Sequence, residues 1–241
     1  MDRPRIICHM MASLDGKSVG DFLLDEQYSE YMNQYLKLGV SFGSKVRIWG
    51  RATFSKMVNF DEFNTATEEI TPKIPRTDYV VDKNAEKYLV AIDSSGKLNW
   101  DKSHFAEDSE NPIKEHIIEV LTEKVSDAYL ASLQKAGVSY IFGGKETLDL
   151  TLIVKKLKKL FSFDTLVLEG GGTINGSFLN EGLVDEVSLL IVPVVDGTAK
   201  SKTIFETEYV LKTNSTASFA LNQVEKTKDD GLWLKYSLKR D

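Results

Sequence analysis

Residues 166–176, Leu-Val-Leu-Glu-Gly-Gly-Gly-Thr-Ile-Asn-Gly, constrain the fold of this chain more than any other stretch. An apolar strand has to end in three consecutive glycines and pass directly into a helix. Glycine lets the backbone turn sharply and lets another group approach the main chain closely. The first amides of the following helix lack intrahelical partners and lie at its positive end, where an anion is favoured. Gly170, Gly171, Gly172 and Thr173 therefore form a candidate cradle for a nucleotide diphosphate. The strict Gly-x-Gly-x-x-Gly spacing is broken, because Asn175 stands at the third glycine position and Gly176 follows one residue later. An ordinary tight strand-to-helix turn accounts for the same residues.

The surrounding pattern alternates strand and helix, the signature of a mostly parallel sheet. Strands are expected at residues 6–12, 46–49, 79–82, 88–92, 116–121, 139–142, 165–168 and 187–192. Helical spacing starts at Asp25, with Tyr28, Tyr31, Met32, Tyr35 and Leu36 in phase. Shorter or later helices are expected from Gly50 through Met57, over 126–136 closed by Gly137, over 148–161, and over 174–180 stopped at Gly182. In the 148–161 helix, Leu150, Ile153, Val154, Leu157 and Leu160 face inward, and Lys155, Lys156, Lys158 and Lys159 form a solvated face. Residues 61–76 read as a polar loop with Pro72 and Pro75. The tail changes character: 218–227 and 232–238 flank Asp229, Asp230 and Gly231, a hairpin signal. No internal repeat or linker interrupts the 241 residues, so one domain over residues 1–241 is expected.

Charge and composition narrow the function. A net charge of −6 argues against a nucleic-acid or membrane-surface binder. No apolar run approaches the roughly 18 residues of a membrane span, and no signal peptide is visible, so a cytoplasmic protein is expected. The single cysteine, Cys8, excludes an internal disulfide framework and reads as a small core residue. His9, His104 and His116 have no partners at metal-ligand spacing, so no metal site is expected. A serine-hydrolase elbow and a P-loop are both missing. An α/β enzyme without a strong nucleophile or metal site of its own often borrows chemistry from a cofactor.

Three constellations remain. Ser13, Leu14, Asp15 and Gly16 follow the first strand; Asp15 can accept hydrogen bonds from a substrate or cap the turn. Gly50, Arg51, Ala52 and Thr53 follow the second strand, where helix amides, a guanidinium fork and a hydroxyl suit a phosphate, or simply cap a helix. Glu169 lies at the carboxyl end of a strand, where open α/β sheets bind ligands; a solvated turn carboxylate is the alternative.

Together these residues resemble a family. Residues 3–17, RPRIICHMMASLDGK, resemble the start of the reductase domain of riboflavin-biosynthesis deaminase/reductase proteins, in the dihydrofolate-reductase-like superfamily. Residues 166–190, LVLEGGGTINGSFLNEGLVDEVSLL, resemble that family's glutamate–glycine turn, helix, Gly-Leu-Val-Asp-Glu and strand. Gly50–Thr53 is similar to the Gly-Arg-x-Thr turn of dihydrofolate reductases. The resemblance implies a dihydrofolate-reductase-like fold: a central mixed, mostly parallel sheet flanked by helices, with a C-terminal antiparallel hairpin. It implies NADPH-dependent reduction of 5-amino-6-(5-phosphoribosylamino)uracil to the ribityl product, by a homodimer. Thr53 and Gly170–Gly172 would hold cofactor phosphates, and Arg51 the extra ribose phosphate that distinguishes NADPH. Ser13, Asp15 and Glu169 would line the junction of cofactor and substrate, with Glu169 and Asp15 catalytic and His9 and Ser13 at the substrate. A lysine stands at the position of His9 in many riboflavin reductases, and the zinc deaminase domain often fused to this reductase has no signature here. A reductase of the same fold acting on a pterin, dihydrofolate or another acceptor, and a non-catalytic dinucleotide sensor, remain alternatives.

Overall fold

The computed structural model describes residues 2–23, 26–57, 62–63, 73–105, 114–207 and 216–240. The expected helix start at Asp25, most of the 61–76 loop and the segment around Pro112 lie outside the described residues. The chain divides into two compact units, Met1–Pro4 with Lys45–Asp164, and Arg5–Ser44 with Thr165–Asp241.

The first unit is a parallel sheet, β2 (Val46–Gly50), β3 (Lys87–Ile92), β5 (Glu115–Thr122) and β6 (Ser139–Gly144), in the order β2-β3-β5-β6. A short strand β4 (His104–Phe105) pairs antiparallel with the start of β5. All eight residues of β5 are buried, as a strand covered on both faces requires. Helices α2 (Arg51–Met57), α3 (Asp127–Ala136) and α4 (Leu150–Phe161) accompany the sheet. The Ser126 hydroxyl caps α3 by accepting from the Tyr129 amide, and Gly137 closes it at φ 71°. Asp149 caps α4 through the Leu152 amide, so that helix starts two residues later than its apolar run suggests. Leu150, Ile153, Val154, Leu157 and Phe161 are its buried stripe; Leu160, expected inward, is only partly buried. The strand expected at 79–82 is not formed. Tyr79 makes a single bridge to Tyr140, while Asp78 is drawn off to the Phe142 amide and Lys156. Val81 donates its amide to the Ser139 hydroxyl instead of a ladder carbonyl.

The second unit has the order β7-β1-β8-β10-β9. β7 (Thr165–Leu168), β1 (Arg5–Ala12) and β8 (Glu186–Ile191) are parallel; β10 (Leu232–Leu238) and β9 (Phe219–Lys226) follow antiparallel. β1 sits between two strands, which explains its run of buried residues from Ile6 to Ala12. Helix α1 (Ser29–Val40) covers Met11, Leu190 and Val192 with Tyr31, Tyr35 and Leu38. Helix α5 (Gly172–Asn180) follows the glycine turn. The expected class, a mixed and mostly parallel α/β fold with an antiparallel C-terminal pair, is what the chain adopts.

Candidate active site

In the second unit, parallel pairing of Cys8 with Leu168 sets the first feature. One residue further along each strand are His9 and Glu169. Both approach Gly39 of α1: a Cβ at that glycine would lie 3.6 Å from His9 Nε2 and 3.8 Å from Glu169 Oε1. Burial, together with the charge of Glu169, pushes the Cys8 thiol far up, so Cys8 is an inert core thiol.

His9 is fully buried, stacked on Tyr35 at 4.1 Å between ring centroids. Its Nε2 lies 2.9 Å from the Tyr35 carbonyl, an acceptor only, so Nε2 carries the hydrogen. Nδ1 then accepts from the Ser188 hydroxyl at 3.1 Å, and Ser188 Oγ accepts from Trp233 Nε1 at 2.9 Å. Burial pulls the ring's pKa down to about 4, against the opposing effect of these hydrogen bonds. Both ring nitrogens are bonded inside the protein, and His9, like Glu169, lies against Gly39.

Asp15 also has partners within the protein. Ser13 Oγ donates to it at 2.6 Å, and the amides of Asp196 and Gly197 donate at 3.1 and 3.0 Å. These bonds, the Ser13 hydroxyl first, lower its pKa to about 2. Asp15 is a latch for the following segment, and the buried Ser13 hydroxyl serves that latch. Ser18 Oγ continues the strap by donating to the Thr203 carbonyl at 2.9 Å, and the Glu206 amide donates to the Gly172 carbonyl at 2.9 Å.

The strap explains the glycines. A Cβ on Gly172 would meet the Thr203 carbonyl oxygen at 2.3 Å, and one on Gly176 the Glu206 carbonyl oxygen at 2.1 Å. Asn175, the residue that breaks the fingerprint, is fully buried and donates Nδ2 to the Ile204 carbonyl at 2.9 Å. Gly172 and Gly170 are buried, whereas Gly171 keeps partial exposure and Thr173 is exposed. The Gly170–Gly171 peptide is cis. Of the expected cradle, Gly171 and Thr173 are the positions left accessible.

In the first unit, β2 ends at Gly50 and α2 begins with Arg51; Thr53 is partly exposed. Arg51 Nε lies 3.7 Å from Asp93 Oδ1, and its Nη1 lies 3.7 Å from Glu62 Oε1. Sequence reasoning missed a polar hollow of about 200 Å³ lined by Ser94, Ser95, Thr122, Lys124 and Glu146. It opens where β3, β5 and β6 end, the carboxyl edge at which open α/β sheets hold ligands. The available signal was Asp-Ser-Ser-Gly directly after the apolar run of β3. Gln34 of α1 was also missed; both of its carboxamide atoms are buried without a hydrogen-bond partner. Among the described residues no cluster of three or more metal-ligating side chains occurs, and no helix is long and apolar enough to cross a membrane.

A family model described as the RibD C-terminal domain matches residues 4–232. A curated relative from Methanothermobacter thermautotrophicus, named 2,5-diamino-6-ribosylamino-4(3H)-pyrimidinone 5′-phosphate reductase, is 33% identical over 88 residues, covering 36% of this chain and 40% of that protein. A protein of the same name from Aquifex aeolicus is 30% identical over 76 residues, covering 32% and 34%. The alignments thus span well under half of those relatives. Among solved structures, a pyrimidine reductase-like protein from Corynebacterium diphtheriae aligns over 99% of this chain and 93% of its own, with TM-score 0.65 and 17% identity. A riboflavin biosynthesis reductase from Saccharomyces cerevisiae aligns over 99% and 91%, with TM-score 0.61 and 13% identity. At these identities the structures share the fold.

Proposed function

The chain belongs to the RibD C-terminal domain family, and on that premise we propose that it is an NADPH-dependent reductase of a ribosylaminopyrimidine 5′-phosphate in riboflavin synthesis. Residues 4–232, which run through both units, are taken as one functional domain. The observation that carries the reading is Glu169, set at the carboxyl end of β7 next to a neutral, fully tethered His9.

The residues present fit a dinucleotide. Arg51 offers a half-exposed guanidinium held by long ion pairs, Gly50 and Thr53 share its turn, and Lys124 and three hydroxyls line the adjoining strand ends. NADPH, when bound, supplies the hydride. In the first unit Arg51 and Thr53 would hold phosphate groups; in the second unit the accessible Gly171 and Thr173 are candidates for the same task. Glu169 would hold the substrate and govern a proton beside the carbon being reduced. His9, with no proton to exchange near pH 7, fixes the wall next to that carboxylate. Asp15 and Ser13 would act by keeping the strap in place. The Gln34 carboxamide, whose nitrogen and oxygen are both buried without a partner, would complement a pyrimidinone amide edge.

The resemblance implies the deaminated uracil as substrate, whereas the curated relatives are named for the 2,5-diaminopyrimidinone. The test is NADPH oxidation with each of these two phosphates, beside dihydrofolate. Oxidation with either ribosylaminopyrimidine and none with dihydrofolate is expected. Oxidation with dihydrofolate alone makes the chain a folate-type reductase. Tight NADPH binding without oxidation makes it a sensor. Glu169→Gln should lower kcat at least about 100-fold while leaving NADPH affinity within about twofold; equal turnover removes Glu169 from the mechanism. A homodimer is the expected assembly, and the mass measured by light scattering checks it.

A further inference from the structure

The first unit contains a buried pair of acids for which the reaction has no direct use. Asp93, at the end of β3, is 1% exposed, and Glu119, in the middle of β5, is fully buried. Asp93 Oδ2 accepts from the Leu98 amide at 2.8 Å and from the Lys97 amide, while Oδ1 has no hydrogen-bond donor. Glu119 Oε2 accepts from Trp100 Nε1. Its Oε1 lies 2.9 Å from Tyr129 Oη, which also lies 2.9 Å from the Leu98 carbonyl. One hydroxyl hydrogen cannot serve both of those acceptors. Two ionised carboxylates here would leave buried acceptors outnumbering donors, at a high cost in a dry interior. A single proton on Glu119 closes the count: Glu119 becomes a donor, and one negative charge remains, on Asp93. Burial first, and the charge of Asp93 second, drive Glu119 well above the usual carboxylate range, consistent with this count; Asp93 is also its side-chain hydrogen-bond partner.

That charge faces Arg51. At 3.7 Å the Nε–Oδ1 approach is an ion pair and not a hydrogen bond. On its other edge, Arg51 Nη1 meets Glu62 at the same separation, and Glu62 is 68% exposed. Glu62 is carried by a short segment docked on the same turn that cages Asp93. It bridges Leu98, the Phe63 amide donates to the Lys97 carbonyl at 2.8 Å, and the Phe63 ring packs edge-on against Tyr129. One carboxylate is therefore fixed and buried, and the other is exposed and exchangeable.

We propose that Arg51 is a pre-aimed anion fork, with its Nε edge oriented by the singly charged Asp93–Glu119 pair and its Nη edge held by Glu62 as a stand-in for the cofactor's ribose phosphate. The inference rests on the NADPH reading and says how the chain selects NADPH over NADH. Binding of the phosphate displaces Glu62 and leaves the Asp93 contact intact. Asp93 and Glu119 are positioning residues; neither touches the ligand.

The test measures the dissociation constants of NADPH and NADH for the wild type, Glu62→Gln, Asp93→Asn and Glu119→Gln. In Glu62→Gln, NADPH should bind about two- to fivefold tighter with NADH unchanged, since the displaced ion pair is a surface one. In Asp93→Asn the preference for NADPH should fall roughly tenfold, with a smaller change for NADH. Glu119→Gln keeps a neutral donor against Asp93 and should retain the wild-type preference. Equal shifts for the two dinucleotides in Asp93→Asn, or no gain for NADPH in Glu62→Gln, overturn the inference while leaving the reductase reading standing. If Asp93→Asn fails to fold, the exposed Glu62→Gln decides alone. Wild-type protein that binds neither dinucleotide overturns the cofactor reading and this inference together.

Discussion

The two glycine-bearing turns of this chain share a grammar and differ in use. In both, an apolar strand ends in glycine and a helix begins at once. Around the Gly170–Gly172 turn, the space at Gly172 and Gly176 is filled by the protein's own backbone, since the 203–206 strap lies against both. At Gly50–Thr53 the turn carries a half-exposed guanidinium, balanced between a buried and an exposed carboxylate. A glycine in a sequence therefore records that something approaches closely, without recording whose atoms they are.

The sharpest way to break the comparison is Gly176→Ala. A Cβ 2.1 Å from a backbone carbonyl must push the strap aside, so a loss of about 3 kcal/mol in denaturant unfolding is expected. Unchanged stability would mean that the strap is not seated there. His9 gives an effect of similar size confined to acid. Its pKa is about 4 folded against 6.5 unfolded, so its contribution is complete above pH 6.5 and is lost as pH falls toward 4. The wild type should lose about 3 kcal/mol across that window, and His9→Gln, though less stable throughout, should show a flatter slope. Thr53→Val belongs to the other turn and should leave the melting temperature alone while weakening NADPH by about 1–2 kcal/mol in titration. A drop in melting temperature with unchanged affinity would make Thr53 a cap. The smallest effect is at Asp15. Its folded pKa of about 2 lies below the ordinary 3.8, so its stabilising bonds are complete above about pH 4 and fade as pH falls through 2. Asp15→Asn should flatten only that most acidic limb.

Local chemistry was legible in the sequence wherever a short window determines it. β1, β5 and β8, the stripe of α4, the Gly137 stop and the tail hairpin all follow from periodicity and turn residues. The strand expected at 79–82 failed because the Asp78 carboxylate takes the Phe142 amide and the Ser139 hydroxyl takes the Val81 amide, pairings between positions far apart in sequence. The site was legible as a set of positions and not as a set of roles. Glu169 and Arg51 stand in accessible places, but nothing near Asp15 announces that its partners are Asp196 and Gly197. Nothing near His9 announces Ser188 and Trp233. The Asp93–Glu119 pair was invisible for the same reason: its proton count exists only once β3, β5 and α3 are assembled.

The chain of hydrogens from Trp233 through Ser188 to His9 gives the second unit an optical gauge. An indole whose N–H is bound to a hydroxyl changes its emission when that hydroxyl turns. The hydroxyl can turn only when Nδ1 stops accepting, that is, when His9 gains a proton or its ring shifts against Glu169. Trp49 and Trp100 belong to the other unit, so replacing both with phenylalanine would leave one intrinsic reporter wired to the neighbour of the candidate carboxylate. Protonation or displacement of His9 would then be readable by fluorescence alone, without a label and without turnover.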